Sequence, residues 1–144
     1  MARPQEPLVR RAEQRGVRLS ESRKQVLAAV EALPQPFSAG ELVAAVARTA
    51  PSVGRATVFR TLLALTAADL LERVRMADGA DAYVAGHRGG HHHHLICRDC
   101  GDVLVVEHCP VAEAADAIAR AHGFAIESHA FEIFGVCQSC RCGS

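Results

Sequence analysis

The sequence has few aromatic residues and no long apolar run. It contains no tryptophan, one tyrosine and five phenylalanines. Proteins that bind single-stranded nucleic acid stack the bases on interleaved aromatic side chains, so we do not expect this protein to be one of them. No apolar stretch approaches the roughly 18–20 residues that cross a bilayer, and the first residues lack the apolar core of a signal peptide. For a chain of 144 residues we therefore expect one or two small domains in the cytoplasm, with no membrane partner.

The first half of the chain also lacks cysteine and histidine. All six cysteines and all eight histidines lie after residue 75. Residues 1–75 hold 12 basic and 7 acidic side chains, a balance of +5, whereas residues 76–144 hold 4 and 9, a balance of −5. The asymmetry indicates an anion-binding module followed by a metal-binding module. Chance variation of surface charge is the alternative.

The basic half contains the start and stop signals of several helices. Gly16 ends a first helix, and Ser20 is a suitable N-cap for a second. Ser38 and Glu41 have the spacing of a capping box, which begins a third helix. After a short turn, residues 55–65 predict a fourth helix with an apolar face at every third or fourth position.

Two short alternating segments follow these helices. Residues 70–76 and 80–84 predict a β-hairpin, and helices followed by a two-stranded ribbon are typical of a winged helix-turn-helix. We therefore place a winged-helix DNA-binding domain at residues 1–85, a hinge at about 84–90, and a second domain at 91–144.

In a winged helix the helix after the turn enters the major groove of DNA. Arginines at the start of that helix can reach base edges and phosphates. The alternative is that these arginines lie on the solvated face of a helical bundle and do not bind DNA. The candidate DNA contacts are Arg18, Arg55, Thr57, Phe59 and Arg60.

Two C-x-x-C pairs, 36 residues apart, stand in the second half. The pairs are Cys97 with Cys100 and Cys137 with Cys140. One such pair could be a redox motif, but two predict a closed tetrahedral Zn²⁺ site. About 60 residues make a thin core, which such a site would reinforce. Cys109 and Cys142 are left over and are interpreted as neutral thiols.

Four consecutive histidines precede the first cysteine pair. A purification tag is one interpretation, but the run is internal and leads directly into an apolar segment. On a strand His91 and His93 point to one face, whereas His92 and His94 point to the other. The run therefore predicts ligands for two separate sites. Candidate partners from elsewhere are Glu72, His87, Glu113 and His129.

The rest of the second half predicts strands around one helix. Residues 111–122 have an amphipathic helical pattern, and residues 124–134 have the pattern of a strand. The expected fold class is thus α+β: a winged helix followed by a small α/β dimerisation domain with a structural zinc site.

Together the two halves resemble the ferric uptake regulator family over about residues 8–141. The matching segments stand in the family's order at residues 55–62, 91–101, 122–124 and 131–141. Members are homodimeric, metal-dependent transcription factors, usually repressors. The resemblance therefore implies a palindromic double-stranded DNA operator and a second copy of the chain as partners, with no small-molecule substrate.

The resemblance also divides the metal ligands among three sites. Structural zinc falls on the four cysteines of the C-x-x-C pairs. The regulatory site at the hinge falls on Glu72, His87, His92 and His94. The second regulatory site falls on His91, His93, Glu113 and His129. This division agrees with the alternation of the histidines along a strand.

The resemblance further implies which metal is sensed. Iron, peroxide and nickel sensors of the family typically have a histidine just before the third helix, where this chain has Pro36. The zinc uptake regulator branch takes its ligands from the hinge, and Glu72 fits its acidic position. We expect one structural and one or two regulatory Zn²⁺ ions per chain, in a repressor of zinc uptake genes. Fe²⁺ or Mn²⁺ in the regulatory sites is the alternative, because histidine and carboxylate ligands also accept these ions.

Two other protein classes fit parts of the pattern. A metal buffer needs the ligand clusters but not Arg55 or Arg60. A zinc enzyme needs an open coordination position and a general base beside the metal, and no such base is apparent. We therefore predict that the protein is not an enzyme.

Overall fold

The computed structural model describes residues 6–86 and 91–143. The chain divides into two compact units. The first comprises Met1–Arg75 and Gly79–Arg88, and the second comprises Met76–Asp78 and Gly89–Ser144. Within the described ranges, no helix is both long enough and apolar enough to cross a membrane.

The first unit is a bundle of four helices with a two-stranded antiparallel sheet. Helix α2 packs against α1, α3 and α4, and the sheet packs against α3 and α4. Strands β1 and β2 form a hairpin in which Glu72 lies opposite Val84. The elements are α1 (Leu8–Gln14), α2 (Glu21–Ala32), α3 (Ala39–Thr49), α4 (Arg55–Ala67), β1 (Leu71–Arg75) and β2 (Asp81–Ala85).

The helix boundaries follow the predicted signals. The Ser20 side chain accepts a hydrogen bond from the backbone N–H of Arg23 at 3.3 Å. At α3 the bonding is reciprocal, because Ser38 Oγ accepts from the Glu41 N–H at 3.1 Å while Glu41 Oε2 accepts from the Ser38 N–H at 2.7 Å. The latter bond holds the pKa of Glu41 below its usual value. This stabilisation is therefore present at neutral pH and is lost as the pH falls through that pKa.

We expect Ser38→Ala to lower the free energy of unfolding of the first unit by about 1 kcal/mol, because it removes an N-cap acceptor. Ser20→Ala is the matched comparison and should cost less, since Ser20 caps α2 without a reciprocal carboxylate. The single tyrosine, Tyr83, packs against the buried ring of Phe37, so its fluorescence during urea unfolding reports on this unit. Equal losses for the two variants would contradict the role given to the reciprocal pair.

The core of the first unit lies between its helices and its sheet. Val58, Leu62 and Leu65 of α4 are at most 2% exposed, which confirms the predicted inward face of that helix. Phe37, just before α3, exchanges backbone hydrogen bonds with Tyr83 of β2 at 3.1 and 2.7 Å. The hairpin is therefore fixed to the segment that precedes α3.

The second unit is a three-stranded sheet with one longer helix. Strand β3 is central: it pairs antiparallel with β4 and parallel with β5. The left-handed Gly123, with φ of 70°, ends α5, as expected for a glycine after a helix. The elements are β3 (His93–Cys97), β4 (Val103–Val106), α5 (Ala112–His122), β5 (Glu132–Gly135) and α6 (Gln138–Cys142).

The predicted strand over residues 124–134 is wrong for most of its length, since β5 covers only Glu132–Gly135. The parallel ladder begins where His94 of β3 lies opposite Glu132. Strand β3 itself begins at His93, which the same parallel register places opposite Phe131, so residues before 131 extend past the first residue of the strand that β5 pairs with. Their alternating apolar pattern has no ladder in the single chain, and Phe124 is 76% exposed.

The second unit has a thin core. Among its described residues, the buried ones are Ile96, Cys97, Ala119, His93 and His94. Two of these are histidines and one is a zinc-ligand candidate, so little aliphatic surface is removed from water. Folding of this unit therefore needs a contribution besides apolar burial.

Candidate metal centres and nucleic-acid interface

The four cysteines of the C-x-x-C pairs meet at one point of the second unit. Cys97 lies at the end of β3, and Cys100 follows in a turn. Cys137 is the N-cap of α6, and Cys140 lies within that helix. The Sγ atoms of Cys97 and Cys140 are 3.9 Å apart, and those of Cys100 and Cys137 are 3.8 Å apart. All four sulfur atoms lie within 4.8 Å of one another.

These spacings fit a zinc ion. A Zn–S bond of about 2.3 Å in a tetrahedral site places neighbouring sulfur atoms about 3.8 Å apart, which agrees with the 3.9 and 3.8 Å of the Cys97–Cys140 and Cys100–Cys137 pairs. The pKa values of two of the thiols shift in opposite directions. Backbone N–H groups of Cys100 and Cys137 lower the pKa of Cys97 to about 6. Hydrogen bonds with Cys137 and Cys100 raise the pKa of Cys140. Since four adjacent thiolates repel one another, a bound cation is needed for all four to be deprotonated.

A second cluster forms where β3 begins. It contains His91, His93, His129 and Cys109, whose ligand atoms lie within 4.8 Å of one another. His91 Nε2 and His129 Nε2 are 2.7 Å apart. Cys109 Sγ lies 3.2 Å from His93 Nε2 and 3.1 Å from His129 Nε2. We call these four residues the β3 cluster.

The composition of the β3 cluster differs from the sequence prediction in one residue. The three predicted histidines are present, but Glu113 is not among the clustered residues. Glu113 lies in the first turn of α5 with an exposed side chain, and Cys109 takes part in its place. Cys109 is thus a candidate ligand and not the neutral thiol expected from the sequence. No local sequence signal marks Cys109 as a ligand, because it reaches the histidines only through the antiparallel pairing of β3 with β4.

The other two histidines form a separate pair, as the alternation predicts. The ring centroids of His92 and His94 are 5.3 Å apart with the rings nearly perpendicular, and His94 is buried. Glu72 is half-buried in β1 of the first unit. His87 lies outside the described residues. Ligation of one metal by these four residues therefore stays a prediction.

The basic side chains of α4 are available to a ligand. Arg55 and Arg60 are exposed, and Phe59 is 42% exposed. Thr57 is half-buried, and its Oγ1 lies 3.5 Å from Arg60 Nη2. Helix α4 contains no acidic residue. Arg18 is exposed between α1 and α2, where its carbonyl accepts a hydrogen bond from the Arg23 side chain.

A model of the ferric uptake regulator family matches residues 14–134. The chain belongs to the ferric uptake regulator family. The zinc uptake regulation protein of Mycobacterium tuberculosis is 36% identical over 128 residues, which cover 88% of this chain and 96% of that protein. The ferric uptake regulation protein of Bacillus subtilis is 32% identical over 107 residues, which cover 73% of this chain and 72% of the relative.

A solved structure described as a zinc uptake regulator complexed with zinc and DNA is also similar. It has a TM-score of 0.75 and 26% identity, covering 94% of this chain and 91% of that one. These comparisons confirm the resemblance and the expected α+β fold class. Because the relatives are uptake regulators, they also confirm that this family member is a regulator and not an enzyme.

Proposed function

We propose that the protein is a zinc-responsive transcriptional repressor of zinc uptake genes, which acts in the cytoplasm as a homodimer on a palindromic DNA operator. The observation that carries this proposal is the division of chemistry between the two units. The first unit presents a basic helix in a winged-helix bundle, and the second holds clusters of metal-ligand side chains. A metal buffer would need only the second unit.

The DNA-binding role rests on α4. Its buried face holds the helix in the bundle, so that Arg55 and Arg60 project from a rigid element. Among the described residues, the ion pairs involve Arg15, Arg73 and Arg75. Neither of the two α4 arginines takes part in these pairs. Arginine side chains on a helix in the major groove can bind guanine edges or phosphates.

The homodimer rests on the apolar surface of the second unit. Large apolar side chains there are exposed in the single chain; they are Leu95, Leu104, Ile118, Phe124, Ile126, Ile133 and Phe134. Ile118, Phe124 and Ile126 line one apolar depression, and a contiguous exposed apolar patch marks an interaction surface. A second copy of the chain would cover them and would supply the two recognition helices that a palindromic operator requires.

Zinc is favoured as the sensed metal by a relative of nearly full length. The zinc uptake regulation protein of Mycobacterium tuberculosis aligns over 96% of its length. An iron- or manganese-responsive regulator is the second candidate, favoured by the likeness to the Bacillus subtilis ferric uptake regulation protein.

Regulation would act through the joint between the units. In this proposal Glu72 and His87 from one side, and His92 and His94 from the other, bind one Zn²⁺. The metal would restrict the relative orientation of the two winged helices in the dimer. Without it, the orientation that fits both half-sites is only a fraction of the population.

The DNA-binding step is tested with a duplex selected in vitro from a random library on the zinc-loaded protein. We expect wild-type protein to bind this duplex in the presence of Zn²⁺ and to release it when zinc is chelated. Arg60→Ala should lose about 1–3 kcal/mol of binding free energy, as expected for a lost base or phosphate contact. Fluorescence anisotropy at fixed salt gives both values.

The matched control is Arg120→Ala, which removes the same charge from an exposed position of α5 in the other unit. It should bind DNA as the wild type does. If the wild type binds zinc but its affinity for DNA does not depend on zinc, the assignment as a regulator is rejected and the assignment as a metal buffer is favoured.

A further inference from the structure

We propose that Cys109, and not Glu113, is the fourth ligand of the second metal site, which is therefore a site of one thiolate and three imidazoles. This inference rests on the proposed metal-responsive function and specifies the metal chemistry of one of its sites. The β3 cluster carries it, because Cys109 Sγ lies next to two of the three imidazole nitrogens.

The sheet brings the four ligands to one place. His93 is the first residue of β3, and it pairs with Val106, the last residue of β4. Cys109 stands three residues beyond that strand end. On the other side, β5 begins with Glu132 opposite His94, and His129 stands three residues before it. Each neighbouring strand thus places a ligand three residues beyond its hydrogen-bonded ladder, next to the start of β3.

His93 is oriented for ligation by its surroundings. Its Nδ1 lies 3.3 Å from the carbonyl oxygen of Phe131, and a carbonyl can only accept, so Nδ1 carries the proton. Nε2 of the neutral ring then presents its lone pair to the cluster. The centroid of the Phe131 ring lies 3.9 Å from that of the imidazole. A second hydrogen bond that fixes the tautomer is the usual partner of a metal-bound histidine.

The distances in the β3 cluster suit a zinc ion after a small expansion. Zn–N bonds of about 2.0–2.1 Å and a Zn–S bond of about 2.3 Å give tetrahedral edges of about 3.4 Å between nitrogens and about 3.6 Å between nitrogen and sulfur. The corresponding contacts are 2.7 Å for His91 with His129, and 3.2 and 3.1 Å for Cys109 with His93 and His129. These pairs of ligand atoms therefore need to move apart by about 0.4–0.7 Å to reach the tetrahedral edges.

The exchange of a carboxylate for a thiolate changes which metals the site accepts. Carboxylate oxygen suits Mn²⁺ and other hard cations, whereas thiolate sulfur favours Zn²⁺. A site with Glu113 and three histidines would accept Mn²⁺ or Fe²⁺ at their physiological levels. With Cys109 as the ligand, the second site selects Zn²⁺, so that two of the three proposed metal sites contain sulfur.

Cobalt substitution tests the ligand directly. Full-length protein whose four-cysteine site already holds Zn²⁺ is titrated with Co²⁺ under anaerobic conditions. A Co²⁺–thiolate bond gives a sulfur-to-metal charge-transfer band, and the proposed hinge ligands contain no sulfur. We expect the band in the wild type, in Glu113→Gln and in Cys142→Ser, and its loss in Cys109→Ser. Zinc affinity of this site, measured against a chelator, should fall at least about tenfold in Cys109→Ser and stay unchanged in Glu113→Gln.

Two results would overturn the inference: no band in the wild type, or a band that Cys109→Ser keeps while Glu113→Gln loses zinc affinity. Circular dichroism and the retained structural zinc show whether each variant is folded. Zinc-dependent DNA binding of the wild type is measured alongside. If it persists without the band, only the ligand assignment fails; if it is absent while the band appears, the proposed function fails and the assignment stands.

Discussion

Cys97→Ser is expected to unfold the second unit and to remove one Zn²⁺ per chain. Structural zinc sites contribute about 10–16 kcal/mol of binding free energy, which is also folding free energy. The second unit has little else, since its buried side chains include only two aliphatic residues, Ile96 and Ala119, among those described. Cys97 is itself buried and joins β3 to the turn that carries Cys100. Replacing Cys97 therefore removes the buried ligand of the zinc site.

Three measurements separate this outcome from a general loss of structure. Native mass spectrometry counts zinc and subunits, and circular dichroism reports the helix and sheet content. Tyr83 fluorescence reports the first unit, which should remain folded. The matched control is Cys142→Ser, because Cys142 is exposed at the end of α6 and lies outside the four-cysteine cluster. A Cys97→Ser protein that stays dimeric, with wild-type stability, would refute the structural zinc assignment.

Elements with local signals, the β1–β2 hairpin included, could be predicted from the sequence, and elements that depend on pairing between strands distant in the sequence could not. The reciprocal bonds of Ser38 and Glu41 and the inward face of α4 follow from spacing within one helix turn. The length of β5 depends on where β3 begins, which no residue near 124–131 specifies. Helix α6 was not predicted, because its five residues are too few to show a periodic pattern.

The same distinction applies to the metal ligands. The grouping of His91 with His93, and of His92 with His94, follows from the alternation of side chains along an extended segment. The structure shows this grouping even though β3 begins only at His93. Cys109 joins the first pair through the register of β4 on β3, which is a property of tertiary structure. A carboxylate on the next helix was therefore the natural choice from sequence alone.

Glu72→Ala and His92→Ala are each expected to abolish the zinc-dependent increase in DNA affinity. In the proposed mechanism these residues contribute to one metal from different units, so removing either disconnects metal binding from the placement of the recognition helices. Coupling free energies between two sites are typically about 1–3 kcal/mol, or about 5–150-fold in affinity. That whole factor should disappear, and the residual affinity should equal that of the zinc-free wild type.

The coupling can be measured from both directions. Anisotropy titrations at a series of buffered zinc concentrations give the effect of zinc on DNA affinity, and chelator competition with and without the selected duplex gives the effect of DNA on zinc affinity. Linkage requires the two factors to be equal in the wild type. Both variants should retain the structural zinc and a dimer, which distinguishes lost coupling from lost folding.

Glu127→Ala is the matched control for Glu72→Ala, because Glu127 is an exposed carboxylate outside the proposed ligand sets. It should preserve the wild-type coupling factor. If Glu72→Ala and His92→Ala also preserve it, the joint between the units is not the regulatory site. The β3 cluster would then be the remaining described group through which zinc could control DNA binding, and Cys109→Ser would be the variant that abolishes the response.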